Sequence, residues 1–118
     1  MSARARSVVT ARFDELIHPP TRLAIISVLA TTEWADFRFI RDELGLSDSA
    51  LSKQLAILEA AGYIDIRKSF AGKRPRTSAR LSRAGRTAFE GHVAALQQIV
   101  ARPATLAQTV RSSGTRQP

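Results

Sequence analysis

The side chains best suited to chemistry in this 118-residue sequence are bases, and they are gathered in one place. Arg67, Lys68, Lys73, Arg74, Arg76, Arg80, Arg83 and Arg86 follow one another with no acid among them. Elsewhere ten bases are matched by ten acids, so the formal net charge of +8 belongs entirely to that window. A concentrated basic segment on an otherwise balanced chain is the footprint of a polyanion partner, because each cation set against a phosphate releases a condensed counterion. The same charges would also keep a surface solvated, so their surroundings have to decide. Catalytic arrangements are missing: the sequence holds no cysteine, no nucleophile elbow and no glycine-rich phosphate loop. Adjacent acids such as Asp14 and Glu15, or Asp42 and Glu43, point in different directions on a helix. His18 and His92, far apart and without thiolates, make a poor metal site. No enzymatic activity, no metal and no cofactor is expected.

These charges must be positioned by a small apolar core. Hydrophobic residues make up 44% and aromatics only 6%, which fits one compact domain packed mainly with Leu, Ile, Val and Ala. No apolar run approaches the roughly 20 residues of a membrane span. Residues 1–12 are basic but lack the apolar stretch of a signal peptide. With cysteine absent as well, a cytoplasmic protein is expected.

Periodicity and punctuation give the elements. Arg12 to Ile17 reads as a short helix ended by His18, Pro19 and Pro20. Leu23, Ile26, Leu29 and Ala30 recur at helical spacing, so Thr21 to Thr31 reads as an amphipathic helix. Trp34 to Asp36 is a short extended link, and Asp36 is placed to cap a helix over Phe37 to Leu44. Gly45 stops that helix, Leu46 plugs the core, and Ser47 or Asp48 caps a further helix running to about Ala61. Its buried side is defined by Leu51, Leu55 and Leu58. The period then changes: Tyr63 to Arg67 and Thr77 to Leu81 read as strands, joined by a long basic loop over Ser69 to Arg76. Ser82 caps a last helix to about Arg102, and Pro103 ends it. Leu106 and Val110 suggest a weak helical extension in an otherwise polar tail.

A helix-turn-helix followed directly by a basic hairpin is suited to duplex DNA, whose major groove admits one helix. Opposite the three buried leucines lie Ser49, Ser52, Lys53 and Ala56, with Gln54 at the margin and Ser47 at the helix start. These side chains are small or form hydrogen bonds, which permits close approach to base edges and phosphates. Lys73, Arg74 and Arg76, flanked by Lys68 and Thr77, could reach the adjacent minor groove or backbone. Phe70 is the one aromatic in the hairpin, whereas readers of single-stranded RNA usually expose several. Duplex DNA is therefore preferred over RNA, over a protein partner, and over non-specific architectural binding, which remain the alternatives.

Residues from about Phe13 to Val100 resemble the winged-helix transcriptional regulators related to the MarR and ArsR groups, in their compact branch with a C-terminal dimerisation helix. The resemblance rests on His18-Pro19 to Leu29, Phe37 to Leu46, Leu51-Ser52-Lys53-Gln54-Leu55 and Leu58-Glu59. It continues through Ala61-Gly62-Tyr63-Ile64, Gly72-Lys73-Arg74-Pro75-Arg76-Thr77, and Leu81-Ser82 with Gly85. It implies a mainly α, α+β winged helix-turn-helix with a small antiparallel hairpin wing and a long C-terminal helix. By it, Ser47 to Ala61 would be the recognition helix and Ser69 to Arg76 the wing. Sequence-specific DNA binding as a homodimeric regulator, in many such proteins a repressor, is the implied function. The chain departs from metal- and redox-sensing members in having no cysteine, and Arg41 stands where the tightest helix-turn-helix motifs prefer a small residue.

The expected organisation is a tail over residues 1–11, a DNA-binding domain over 12–81, a dimerisation helix over 82–102 and a tail over 103–118. A helix of about 20 residues spans roughly 30 Å, more than so small a domain covers with its own core. Its stripe of Phe89, His92, Val93, Leu96, Ile99 and Val100 calls for a second copy, although packing back on the same domain is the alternative. A small-molecule effector has no support beyond a possible crevice near Trp34 and Phe37.

Overall fold

The computed structural model describes residues 9–102. Their elements run α1 (Pro20–Leu29), β1 (Ala35–Asp36), α2 (Phe37–Leu44), α3 (Asp48–Ala60), β2 (Ile64–Ala71), β3 (Arg74–Leu81) and α4 (Arg83–Ala101). This is the mainly helical α+β architecture expected, with one three-stranded antiparallel sheet in the order β1-β3-β2. The tail residues 1–8 and 103–118, including Pro103, Leu106 and Val110, lie outside the described residues.

Residues 14–89 form one compact unit. Pro20 opens α1 at its first turn, where the missing N–H costs nothing. The helix buries Ile25, Ile26 and Leu29, while Leu23 and Ala30 are only partly covered, so its inner face is turned toward Ile25. Gly45 adopts φ 66° and ends α2 in the left-handed conformation that glycine adopts without steric cost. The Ser47 hydroxyl accepts the Ala50 N–H at 3.1 Å and so starts α3. Leu51, Leu55 and Leu58 join Ile17, Ile25, Ile26, Leu29, Ile40, Ile64, Ala79 and Leu81 in the core. Ser82 accepts the Gly85 N–H at 3.0 Å and donates to the Gly62 carbonyl at 2.6 Å, fixing the start of α4 beside the end of α3.

Three expectations are corrected. Arg12 to Ile17 is not a helix but an irregular stretch closing in a turn at residues 15–17. The segment is too short to nucleate a helix in isolation, and the Asp14 carboxylate takes the Leu16 N–H at 2.9 Å. The wing is no long loop either. Its strands pair continuously from Ile64↔Leu81 to Ala71↔Arg74, leaving only Gly72 and Lys73 as the turn. Gly72 at φ 68° permits that two-residue connection. Pro75 is tolerated because it lies opposite Phe70, one residue from the closing pair, where the ladder makes no hydrogen bond. Asp36 occupies the N-cap position of α2 but makes no side-chain cap; its carboxylate accepts the Ser78 hydroxyl at 3.1 Å instead.

Residues 9–13 and 90–102 belong to a second unit. Within it the Arg12 N–H donates to the Gly91 carbonyl at 2.9 Å. The Phe13 ring meets the fully buried His92 edge-on, with centroids 4.7 Å apart.

Candidate nucleic-acid interface

The outer face of α3 carries Ser49, Ser52, Lys53 and Ala56, all exposed, as helical spacing from the three buried leucines requires. Ser47 is exposed too, but its hydroxyl is engaged as the cap and lies 3.4 Å from that of Ser49. Gln54 is half-buried, and its carbonyl oxygen accepts from Arg22 at 2.9 Å. Arg22 also donates to the Leu16 carbonyl at 2.6 Å, so it fastens the recognition helix to the segment before α1. Sequence reasoning missed Arg22, and nothing local in the sequence marks it, because its partner lies 32 residues away.

The wing carries Lys73 and Arg74 exposed at its tip, Arg76 on its flank and Lys68 exposed on the opposite strand. Thr77 is half-buried. Phe70 is 70% exposed, so the tip also presents an apolar ring beside its cations. Between wing and helices runs a groove of about 480 Å³, lined by Asp48 and Ser52 of α3, Phe37 and Arg38 of α2, and Arg74, Arg76 and Thr77 of β3. Arg38 is exposed on this groove and was not singled out from sequence, because its basic charge stands outside the concentrated window.

Two acids share the groove, and each has a cation beside it. Asp48 accepts from Arg41 at 2.8 Å, and Arg41 also pairs with Asp42 at 2.9 Å. Hydrogen bonds from these carboxylates, Asp42 foremost, make the Arg41 guanidinium hold its proton still more tightly. The arginine that looked out of place in the helix-turn-helix thus reaches across the turn to the start of α3. Asp36 lies 3.7 Å from Arg76.

Of the remaining bases, Arg67 and Arg80 are occupied. Their guanidinium carbons lie 4.0 and 4.6 Å from the Trp34 ring centroid, and Arg80 pairs with Asp65 at 3.2 Å. Trp34 lines a polar cleft with Glu33, Asp65, Arg83 and Arg86, whereas Phe37 lines the groove beside α3, so the two do not share a crevice. On α4, Phe89 is half-buried against the core, His92 is fully buried, and Val93 and Leu96 are half-buried. Ile99 and Val100 are 43% and 77% exposed. Val93, Leu96 and Val100 line a shallow apolar depression. Among the described residues, no His, Cys, Asp and Glu group could hold a metal ion, and no helix is long and apolar enough to cross a membrane.

A helix-turn-helix whose second helix is exposed, followed by a two-stranded ribbon that shares a sheet with the strand before α2, defines the winged-helix class. The chain belongs to the winged helix DNA-binding domain family, which matches residues 21–100. It is 26% identical over 85 residues to an uncharacterized protein of Methanocaldococcus jannaschii, covering 72% of this chain and 92% of that one. Its fold is similar to a transcriptional regulator homologue from Pyrococcus horikoshii, with TM-score 0.72 and 24% identity over 77% of this chain and 90% of that one. It is similar also to the PcaV transcriptional regulator from Streptomyces coelicolor, solved with its natural ligand, with TM-score 0.59 and 22% identity over 83% and 71%.

Proposed function

We propose that the protein is a sequence-specific, double-stranded-DNA-binding transcriptional regulator that acts as a homodimer in the cytoplasm. The observation that carries this reading is the groove itself: the exposed face of α3 and the cationic wing bound one open channel. Ser49, Ser52 and Lys53 would approach base edges, with Ser47 at the helix start near the backbone. Gln54, already held by Arg22, would contribute from the margin. Lys73 and Arg74 would enter the neighbouring minor groove, while Lys68, Arg76 and Thr77 would meet phosphates. Residues 12–81 would form the DNA-binding part and 82–102 the pairing helix, with the apolar side chains from Phe89 to Val100 at the seam. The regulators of similar fold support a regulatory role, and the resemblance to the MarR and ArsR groups supports repression.

The test is a titration of the purified protein against its own upstream duplex and a scrambled duplex of equal length, at several salt concentrations. The upstream duplex is expected to bind orders of magnitude more tightly. The Arg74→Ala, Arg76→Ala double variant should weaken both and flatten the salt slope by about 1.8, or about 0.9 per lost phosphate contact. Equal binding of both duplexes would make the protein an architectural binder, and no binding at low salt would overturn the reading.

A further inference from the structure

We infer that Trp34 is a positioning residue for the wing: gripped by Arg67 and Arg80, it sets the angle at which the wing meets DNA. The inference rests on the DNA-binding reading above and goes beyond it. Trp34 immediately precedes β1, and β1 is only two residues long, joined to β3 by just the pairs Ala35↔Ala79 and Asp36↔Ser78. Two rungs are a weak anchor for a ribbon whose strands run eight residues each.

Side chains supply the rest of the anchor. In the order β1-β3-β2, Arg80 sits on the middle strand and Arg67 on the far one. Neighbouring strands lie about 4.8 Å apart, so the stack of Trp34 with both guanidiniums reaches across the whole sheet. Asp65, directly opposite Arg80 in the ladder, fixes that guanidinium by its ion pair at 3.2 Å. Two residues further along, Asp36 holds Ser78 and stands beside Arg76. Trp34 to Asp36 therefore tie the stem of the wing to the first residue of α2, and α2 leads through Gly45 into the recognition helix. A wing free to swing would have to be ordered on binding, whereas one already held meets the duplex without that loss.

This changes the role of two bases in the concentrated window. Arg67 and Arg80 act through the indole and the stem, and phosphate contact is left to the tip and groove. The experiment compares Trp34→Leu, Trp34→Phe, Arg67→Gln and the Trp34→Leu, Arg67→Gln double variant with the wild type, by upstream-duplex affinity against salt and by thermal melting. Trp34→Leu removes no charge, so affinity should fall about tenfold with an unchanged salt slope, while Trp34→Phe, which keeps an aromatic face, should retain most of the binding. Arg67→Gln should cost about the same, and the double variant no more than either. A slope reduced by about 0.9 on Arg67→Gln, with losses that multiply in the double variant, would make Arg67 a phosphate ligand and overturn the inference. So would tight binding by Trp34→Leu.

A second readout needs no DNA and no large substitution in the fold. Trp34 is the only tryptophan, and two flanking guanidiniums should make its emission far more sensitive to iodide than to caesium. Arg67→Gln should bring the two quenchers closer together, and equal quenching in the wild type would show that the grip does not form in solution. If wild-type protein binds no DNA yet shows the quenching contrast, the functional reading has failed and the grip stands.

Discussion

Gly85 illustrates how far a single residue can constrain this molecule. A Cβ at that position would collide with the backbone carbonyl of Tyr63, and would press on Leu81 at 3.1 Å. The Tyr63 carbonyl cannot easily retreat, because it accepts the Ser82 N–H at 3.0 Å where β3 passes into α4. Gly85→Ala should therefore destabilise the protein by about 3 kcal/mol or more. For a domain of this size that is a melting point lowered by well over 10 °C, at about 4–8 °C per kcal/mol, measured by circular dichroism. A melt within 2 °C of wild type would show that the backbone shifts cheaply there. In the sequence, Gly85 lies near the start of the last helix, where a glycine is usually a weakness. Only the approach of Tyr63 explains it.

The wing shows what happens at the scale of an element. Its strands past Arg67 escaped the sequence reading because alternation of apolar and polar residues requires one buried face, and a ribbon that protrudes from the domain has none. Phe70 through Arg76 are exposed with no alternation at all. Gly and Pro then read as loop, although Gly72 is the turn and Pro75 sits where the ladder needs no donor. A side chain at Gly72 would meet nothing within 4 Å, so substitution there strains the backbone alone. Gly72→Val should cost about 1–2 kcal/mol at the turn, quicken amide exchange toward the tip of the wing, and weaken DNA binding while the global melt moves little. An unchanged exchange pattern would mean the turn tolerates a left-handed valine. The short helix expected before His18 failed for another reason: six residues fix too many dihedrals for too few hydrogen bonds.

At the scale of the whole molecule, the exposed apolar end of α4 predicts association. Val100 is 77% exposed, so Val100→Asp should leave the protomer folded, yet it places a charge in the apolar depression with Val93 and Leu96. Sedimentation equilibrium should find dimer for the wild type and monomer for the variant. Binding to a two-half-site duplex should then fall at least tenfold, because a monomer loses the gain of holding both half-sites together. A monomeric wild type would remove the dimer from the proposal and leave the groove as it stands.

The sequence by itself determined the elements and their punctuation. Helical spacing of Leu51, Leu55 and Leu58, the cap at Ser47 and the stop at Gly45 are local physics, and local physics is written locally. It also determined that positive charge is concentrated, since that is a matter of counting. Tertiary structure alone decided which of those charges remain available. Arg67 and Arg80 lie on Trp34, Arg76 stands beside Asp36, and Arg22 holds Gln54. Each pairing joins residues that only the sheet order or the packing of helices brings together. Whether a guanidinium faces a phosphate or an indole depends on what the fold sets a few ångströms away, and no composition or period carries that distance.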